Sequence, residues 1–141
     1  MTAVSPDVMT ALQHTLSNVF AAWVRELELR LIDASPGEVR LALPVHARHV
    51  HAGNVMSGQT LMAAADTAMV LAIMTRAGGY KPMATVQLQT TFLRPVPADS
   101  GVARVRARVL RMGDELVFGE VHITTADELL AAHATTTYAL L

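Results

Sequence analysis

The chain has 141 residues, of which 52% are hydrophobic and 16% charged, and its net charge is −1. This length fits a single domain over residues 1–141, and the high apolar content predicts that part of the surface packs against another subunit. The absence of cysteine excludes disulfides and thiolate metal sites, and the balanced charge argues against a nucleic-acid partner. Because the N-terminus lacks the basic region of a signal peptide, we expect a cytoplasmic protein.

The first half of the chain predicts a helix followed by a hairpin. Ser5 is a good N-cap and Pro6 a good first helical residue, and apolar residues then recur at helical spacing to Phe20, or as far as Trp23. Two short stretches of alternating apolar and polar residues flank Ser35-Pro36-Gly37, which predicts two strands joined by a turn.

The second half predicts one apolar helix and four long strands. Residues 46–56 have no clear period and are predicted to form a loop. An Ala-, Met- and Leu-rich helix then begins at Ser57-Gly58, runs to about Arg76 and ends at Gly78-Gly79. Strands are predicted over about residues 83–93, 102–111, 115–125 and 129–140, as a meander. This order predicts an α+β fold in which one helix is buried against a sheet.

Asp66 is the residue that fits this core helix least well. It is the only charged residue between Thr60 and Thr75. Its helical neighbours one turn away are all apolar, namely Met62, Ala63, Met69 and Val70. An acid on an apolar stripe is costly unless it is paired, hydrogen-bonded or protonated. Asp66 is therefore either a catalytic base or a structural residue that caps a loop or pairs with an arginine such as Arg94.

The N-terminus of the same helix offers a second chemical feature. Its unpaired N–H groups could stabilise an oxyanion, and Gly58 has no side chain to block the approach; an ordinary Ser57 cap is the alternative. Gly58 and Asp66 lie about 12 Å apart along one helix, which is too far for both to act on one carbonyl. Two antiparallel copies of the helix could bring them together, so a shared site requires a two-fold dimer.

Four segments carry a family resemblance: residues 53–59 (GNVMSGQ), 63–68 (AAADTA), 84–95 (ATVQLQTTFLRP) and 131–138 (AAHATTTY). In order and spacing they resemble the hot-dog thioesterases, specifically the PaaI-like branch, over nearly the whole chain. The resemblance implies a hot-dog fold, in which a curved antiparallel sheet wraps around one long apolar helix, with an additional N-terminal helix. It also implies homodimers joined edge to edge through their sheets, and dimers that pair into homotetramers.

The resemblance implies a function and a catalytic set. The function is hydrolysis of an acyl-CoA thioester to free acid and CoA. Asp66 would act as general base or nucleophile, and Thr85 would help to hold the attacking water. The Gly58 N–H of the other subunit would form the oxyanion hole. No metal and no cofactor is expected beyond the coenzyme A of the substrate, and no membrane partner.

Further residues are expected to contact the substrate. Ser57 and Gln59 flank Gly58 in the motif where many relatives have His-Gly-Gly. His51 or Asn54 would bind the thioester carbonyl or water. The acyl chain would lie near Met62 and Met69, and Arg111 could meet the CoA phosphates, because Asp114 stands where relatives often have a basic residue.

Two other functions remain open at this point. Hot-dog proteins also include acyl-thioester hydratases and dehydratases, although the central helix here carries no histidine. The fold could also serve as a non-catalytic acyl-CoA-binding module.

Overall fold

The structure, a computed structural model, describes residues 2–141 and has the predicted α+β architecture. In chain order, the elements are α1 (Pro6–His14), a π-helical turn (Thr15–Val19), α2 (Ala22–Arg25), β1 (Arg30–Ser35), β2 (Glu38–Pro44), a 3-10 turn (Ala47–His49), α3 (Gly58–Ala77), β3 (Met83–Phe92), β4 (Val102–Met112), β5 (Leu116–Thr124) and β6 (Leu130–Leu140). One six-stranded antiparallel sheet wraps around α3, which confirms the predicted central helix and curved sheet.

The N-terminal helix begins as predicted but ends earlier. The Ser5 hydroxyl accepts a hydrogen bond from the Val8 N–H at 3.3 Å, as an N-cap does. The α-helical part stops at His14, and the chain continues through a π turn before α2. Within that turn the Asn18 amide donates to the His14 carbonyl oxygen at 3.2 Å, a side-chain bond that competes with regular helical pairing.

Helix α3 forms the core of the domain. The Ser57 hydroxyl caps its start by accepting from the Thr60 N–H, and Gly78 ends it in a left-handed conformation at φ +79°. By length and composition this helix could cross a bilayer, but 67% of its apolar 18-residue stretch is buried inside the domain. Its apolar character is therefore that of a core helix enclosed by a sheet.

The order of strands in the sheet is β1-β2-β4-β5-β6-β3. Strands β4, β5 and β6 form the predicted meander, but the inclusion of β3 in it was wrong, because β3 pairs with β6 and not with β4. Two prolines prevent a tight turn after β3, and residues 93–101 instead carry the chain across to β4. Val96 in this crossing is fully buried, and its carbonyl accepts from the Met56 N–H at 2.9 Å. As a result, β3 is left at the open edge of the sheet.

Candidate active site

The carboxylate of Asp66 is held by two side chains from the sheet. Its Oδ1 accepts a hydrogen bond from the Thr85 hydroxyl on β3 at 2.8 Å and another from the Tyr138 hydroxyl on β6. The Tyr138 hydroxyl also lies 2.8 Å from the main-chain carbonyl oxygen of Asp66. Within residues 2–141, Asp66 forms no salt bridge, so the expected alternative of an arginine partner is not what satisfies it.

This geometry leaves one carboxylate oxygen for chemistry. Both hydroxyl donors converge on Oδ1, and in the described part of the chain no side chain hydrogen-bonds to Oδ2. Asp66 itself is half-buried, and Thr85 is exposed on the edge strand. The arrangement therefore fixes the orientation of the carboxylate and leaves its second oxygen able to accept a proton from water.

Tyr138 is a site residue that the sequence analysis did not single out. It is 2% exposed, and burial, followed by the nearby negative charge of Asp66, raises the pKa of its hydroxyl far above the ordinary value. The hydroxyl therefore remains protonated and acts as a permanent donor. Buried tyrosines usually find a partner for this group, and the only sequence signal was an aromatic residue within a strand of small residues.

A β-bulge in β3 brings Thr85 to the carboxylate. Thr85 lies directly opposite Tyr138, but the pairing then shifts by one residue, so that Gln87 opposes Thr137. The extra residue, Val86, is 61% exposed. Because side chains alternate between faces, this insertion lets both Thr85 and, further along, Leu88 and Phe92 face the helix. One strand therefore serves both the carboxylate and the N-terminus of α3.

Gly58, the first residue of α3, lies beside Phe92 at the C-terminal end of β3. A methyl group at this position would stand 3.2 Å from Phe92 Cζ, so the absence of a side chain keeps the helix N-terminus accessible. An open cavity of about 370 Å³ adjoins it, and Leu61, Phe92 and Arg94 contribute to its walls. Arg94 is exposed there, which makes it a basic residue near the proposed oxyanion site that sequence reasoning had considered only as a partner for Asp66.

The predicted polar substrate contacts lie in and after the loop that precedes α3. His51 and Asn54 are both exposed. The His51 ring accepts from the Gly53 N–H at 2.8 Å, and the Asn54 carbonyl accepts from the Ala98 N–H at 3.1 Å. Ser57 is occupied as the helix cap, whereas the Gln59 side chain is exposed. These residues therefore surround the helix N-terminus and not Asp66.

The remaining predicted contacts divide between core and surface. Met62 is half-buried, but Met69 is only 1% exposed and lies against Gly119 of β5, so close that a methyl group there would meet the Met69 side chain at 2.4 Å. This position favours a core role for Met69 over contact with an acyl chain. Arg111 is exposed at the end of β4.

The fold and the site together define a hot-dog-fold hydrolase of thioesters. The family model of the thioesterase superfamily matches residues 47–132, and the chain belongs to this superfamily. This membership favours hydrolysis over the hydratase and binding-module alternatives.

Three solved structures show the likeness in detail. The PaaI protein of E. coli superposes with a TM-score of 0.85 at 18% identity, over 99% of this chain and 96% of its own. The phenylacetic acid degradation protein PaaI of Thermus thermophilus is 26% identical, with a TM-score of 0.75 over 86% of this chain and 100% of its own, which confirms the predicted PaaI-like branch. A hypothetical thioesterase protein of Streptococcus pneumoniae, solved with coenzyme A, has a TM-score of 0.74 at 17% identity and covers 80% of this chain and 85% of its own.

Proposed function

We propose that the protein hydrolyses acyl-CoA thioesters, with Asp66 as the general base that activates water at a site shared by two subunits. The observation that carries this proposal is the Asp66 carboxylate, which Thr85 and Tyr138 hold through one oxygen while the other has no side-chain partner among residues 2–141. A base positioned in this way can remove a proton from water as the water attacks the thioester carbon.

The open edge of the sheet supports a dimeric site. Strand β3 spans Met83–Phe92 and contains neither a charged residue nor a proline, although long apolar edges normally carry such protection. Val86 and Phe92 on this strand are 61% and 48% exposed. A second copy of β3 is the occupant that this edge fits best, because pairing would satisfy its free main-chain groups and extend the sheet through the two-fold axis.

Such pairing would also complete the catalytic set. Gly58 and Asp66 both belong to α3 and are about 12 Å apart along its axis. In a two-fold dimer, the N-terminus of the partner's helix supplies the N–H group that stabilises the oxyanion. Each carbonyl is then attacked from the Asp66 side and polarised from the Gly58 side. Pairing of two such dimers into a tetramer extends this proposal.

Coenzyme A is the acyl carrier that one solved relative and two exposed arginines support. The Streptococcus pneumoniae protein of the same fold was solved with coenzyme A, which supports CoA as the carrier. Arg94 beside the cavity and Arg111 at the end of β4 are exposed and can pair with phosphates. Met62, half-buried on α3, is a candidate for the acyl side of the pocket.

The activity is tested with a panel of short, medium, long and aromatic acyl-CoAs, and hydrolysis is measured as the release of free thiol. Asp66→Asn is expected to lower kcat by about 10²- to 10⁴-fold, because it removes the base and keeps the shape. Asp127→Asn, a change of the same kind on the exposed turn between β5 and β6, serves as the control and should leave kcat unchanged. Full activity in Asp66→Asn would refute the proposed role.

A single turnover in ¹⁸O-labelled water distinguishes base from nucleophile. If Asp66 activates water, the label enters only the released acid. Appearance of the label in the Asp66 carboxylate would show instead that this residue forms a covalent acyl intermediate.

Sedimentation velocity tests the shared site. Val86→Lys places two like charges at the proposed contact and should yield monomers that have lost activity. Ile32→Lys is the matched control, since Ile32 is 43% exposed on β1, the opposite edge of the same sheet. Active monomers of Val86→Lys would contradict a site built from two subunits.

A further inference from the structure

A second cluster of titratable side chains lies on the outer face of the sheet, away from α3. His122 on β5 and His133 on β6 are directly opposed in the strand pairing, and their ring centroids are 5.1 Å apart. Glu120, two residues before His122, projects from the same face. One ligand atom from each of the three side chains lies within 4.8 Å of the other two, and all three residues are half-buried.

The nearby positive charges are engaged in ion pairs. Arg108 binds Glu120 Oε1 at 2.5 Å, which leaves Oε2 directed at the His133 ring, 3.1 Å from Nε2. Arg106, across the strand pair from His122, is drawn toward β2 by Glu38 at 3.2 Å. Arg108 thus orients the carboxylate in the way that outer hydrogen-bond partners orient metal-binding carboxylates.

We propose that Glu120, His122 and His133 bind a Zn²⁺ ion. Two imidazoles and one carboxylate are a donor set that zinc prefers, and three protein ligands leave a fourth position for water. Ligand bonds of about 2.0–2.2 Å at tetrahedral angles place donor atoms roughly 3.4 Å apart. The donor atoms are now up to 4.8 Å apart, so the side chains must rotate to bring them closer together when zinc binds. The backbones of β5 and β6 can stay in place.

This site is independent of the proposed hydrolysis. The inner positions of β5 face α3, whereas Glu120 and His122 alternate with them and face outward. Zinc would replace the hydrogen bond between His133 and Glu120 and link the neighbouring strands β5 and β6. The inference departs from the sequence analysis, which expected no metal.

Calorimetric titration of the chelator-treated protein with ZnCl₂ tests the proposal. One equivalent per chain is expected to bind, and His122→Ala, His133→Ala and Glu120→Gln are each expected to weaken binding by about tenfold or more. Co²⁺ should bind the same site and give the visible absorption of tetrahedral coordination in the wild type but not in these variants.

The chain offers a matched control for surface histidines. His46 and His49 are a second histidine pair, with ring centroids 6.3 Å apart, and replacing both with alanine should leave zinc binding unchanged. Asp66→Asn should also bind zinc as the wild type does, which separates this test from that of the active site. Failure of the wild type to bind, undiminished binding by the ligand variants, or loss of binding in the control would each overturn the proposal.

Discussion

Removal of the Tyr138 hydroxyl is expected to weaken the domain through its bond to Asp66. In Tyr138→Phe the ring remains in its 2% exposed site, so little cavity forms and the cost is mainly that of one hydrogen bond. A bond to a charged acceptor contributes about 1.5–3 kcal/mol, against about 0.5–1.5 kcal/mol for a neutral one. The same substitution in an Asp66→Asn background should therefore cost about 1 kcal/mol less.

A double-mutant cycle measures this difference. Free energies of unfolding are obtained by urea denaturation at one protein concentration, since the stability of a dimer depends on concentration. The other tyrosine of the chain, Tyr80, is 48% exposed, and Tyr80→Phe should change stability little in either background. If the Tyr138 and Asp66 effects add within about 0.5 kcal/mol, the hydroxyl is not coupled to the carboxylate and the site geometry described above is incorrect.

Three further predictions concern other parts of the domain. Thr136→Val should be neutral or raise stability by about 1 kcal/mol in urea denaturation, because the Thr136 hydroxyl is buried and finds no hydrogen-bond partner in the described part of the chain; a loss above that size would show that the hydroxyl is satisfied. Gly58→Ala should lower kcat/KM by about tenfold or more with little change in melting temperature, because the methyl group obstructs the helix N-terminus beside Phe92; unchanged kcat/KM would exclude an oxyanion role. Burial, aided by nearby positive charge, lowers the pKa of His49 below 6.5, so this residue prefers to be neutral when folded. As the pH falls below about 6.5, the unfolded chain takes up the proton first and stability decreases; His49→Asn should show a shallower decrease in melting temperature, and an equal decrease would contradict this assignment.

Local sequence signals predicted the elements well, because they act over a few residues. Ser5 and Ser57 both cap helices as expected, since an N-cap depends only on the next three residues. Asp66 could be identified because a charged residue stands out on an apolar helical stripe. This signal needs only the neighbouring residues of the helix and does not require that its hydrogen-bond partners be known. The bounds of the four long strands likewise follow from runs of residues between turn signals, whereas β1 (Arg30–Ser35) extends into the predicted turn at Ser35.

The partners of these elements could not be predicted, because they depend on register. Tyr138 is 72 residues from Asp66, and its role follows only from its position opposite Thr85 in the sheet. The edge position of β3 depends on the crossing after Phe92, and the pairing of His122 with His133 depends on the offset of one hairpin. A shift of one residue in either pairing would turn these side chains to the opposite face.

The alternation of side chains along β3 restricts how this protein can diverge. Deleting Val86 would remove the bulge and leave Thr85 and Leu88 facing the helix, whereas deleting one residue between Leu88 and Phe92 would turn one of these two side chains away from it. A change in length is therefore tolerated at the bulge itself but not between Leu88 and Phe92. Between these two residues, descendants of this sequence should therefore differ by point substitution, with the residue count of that segment preserved.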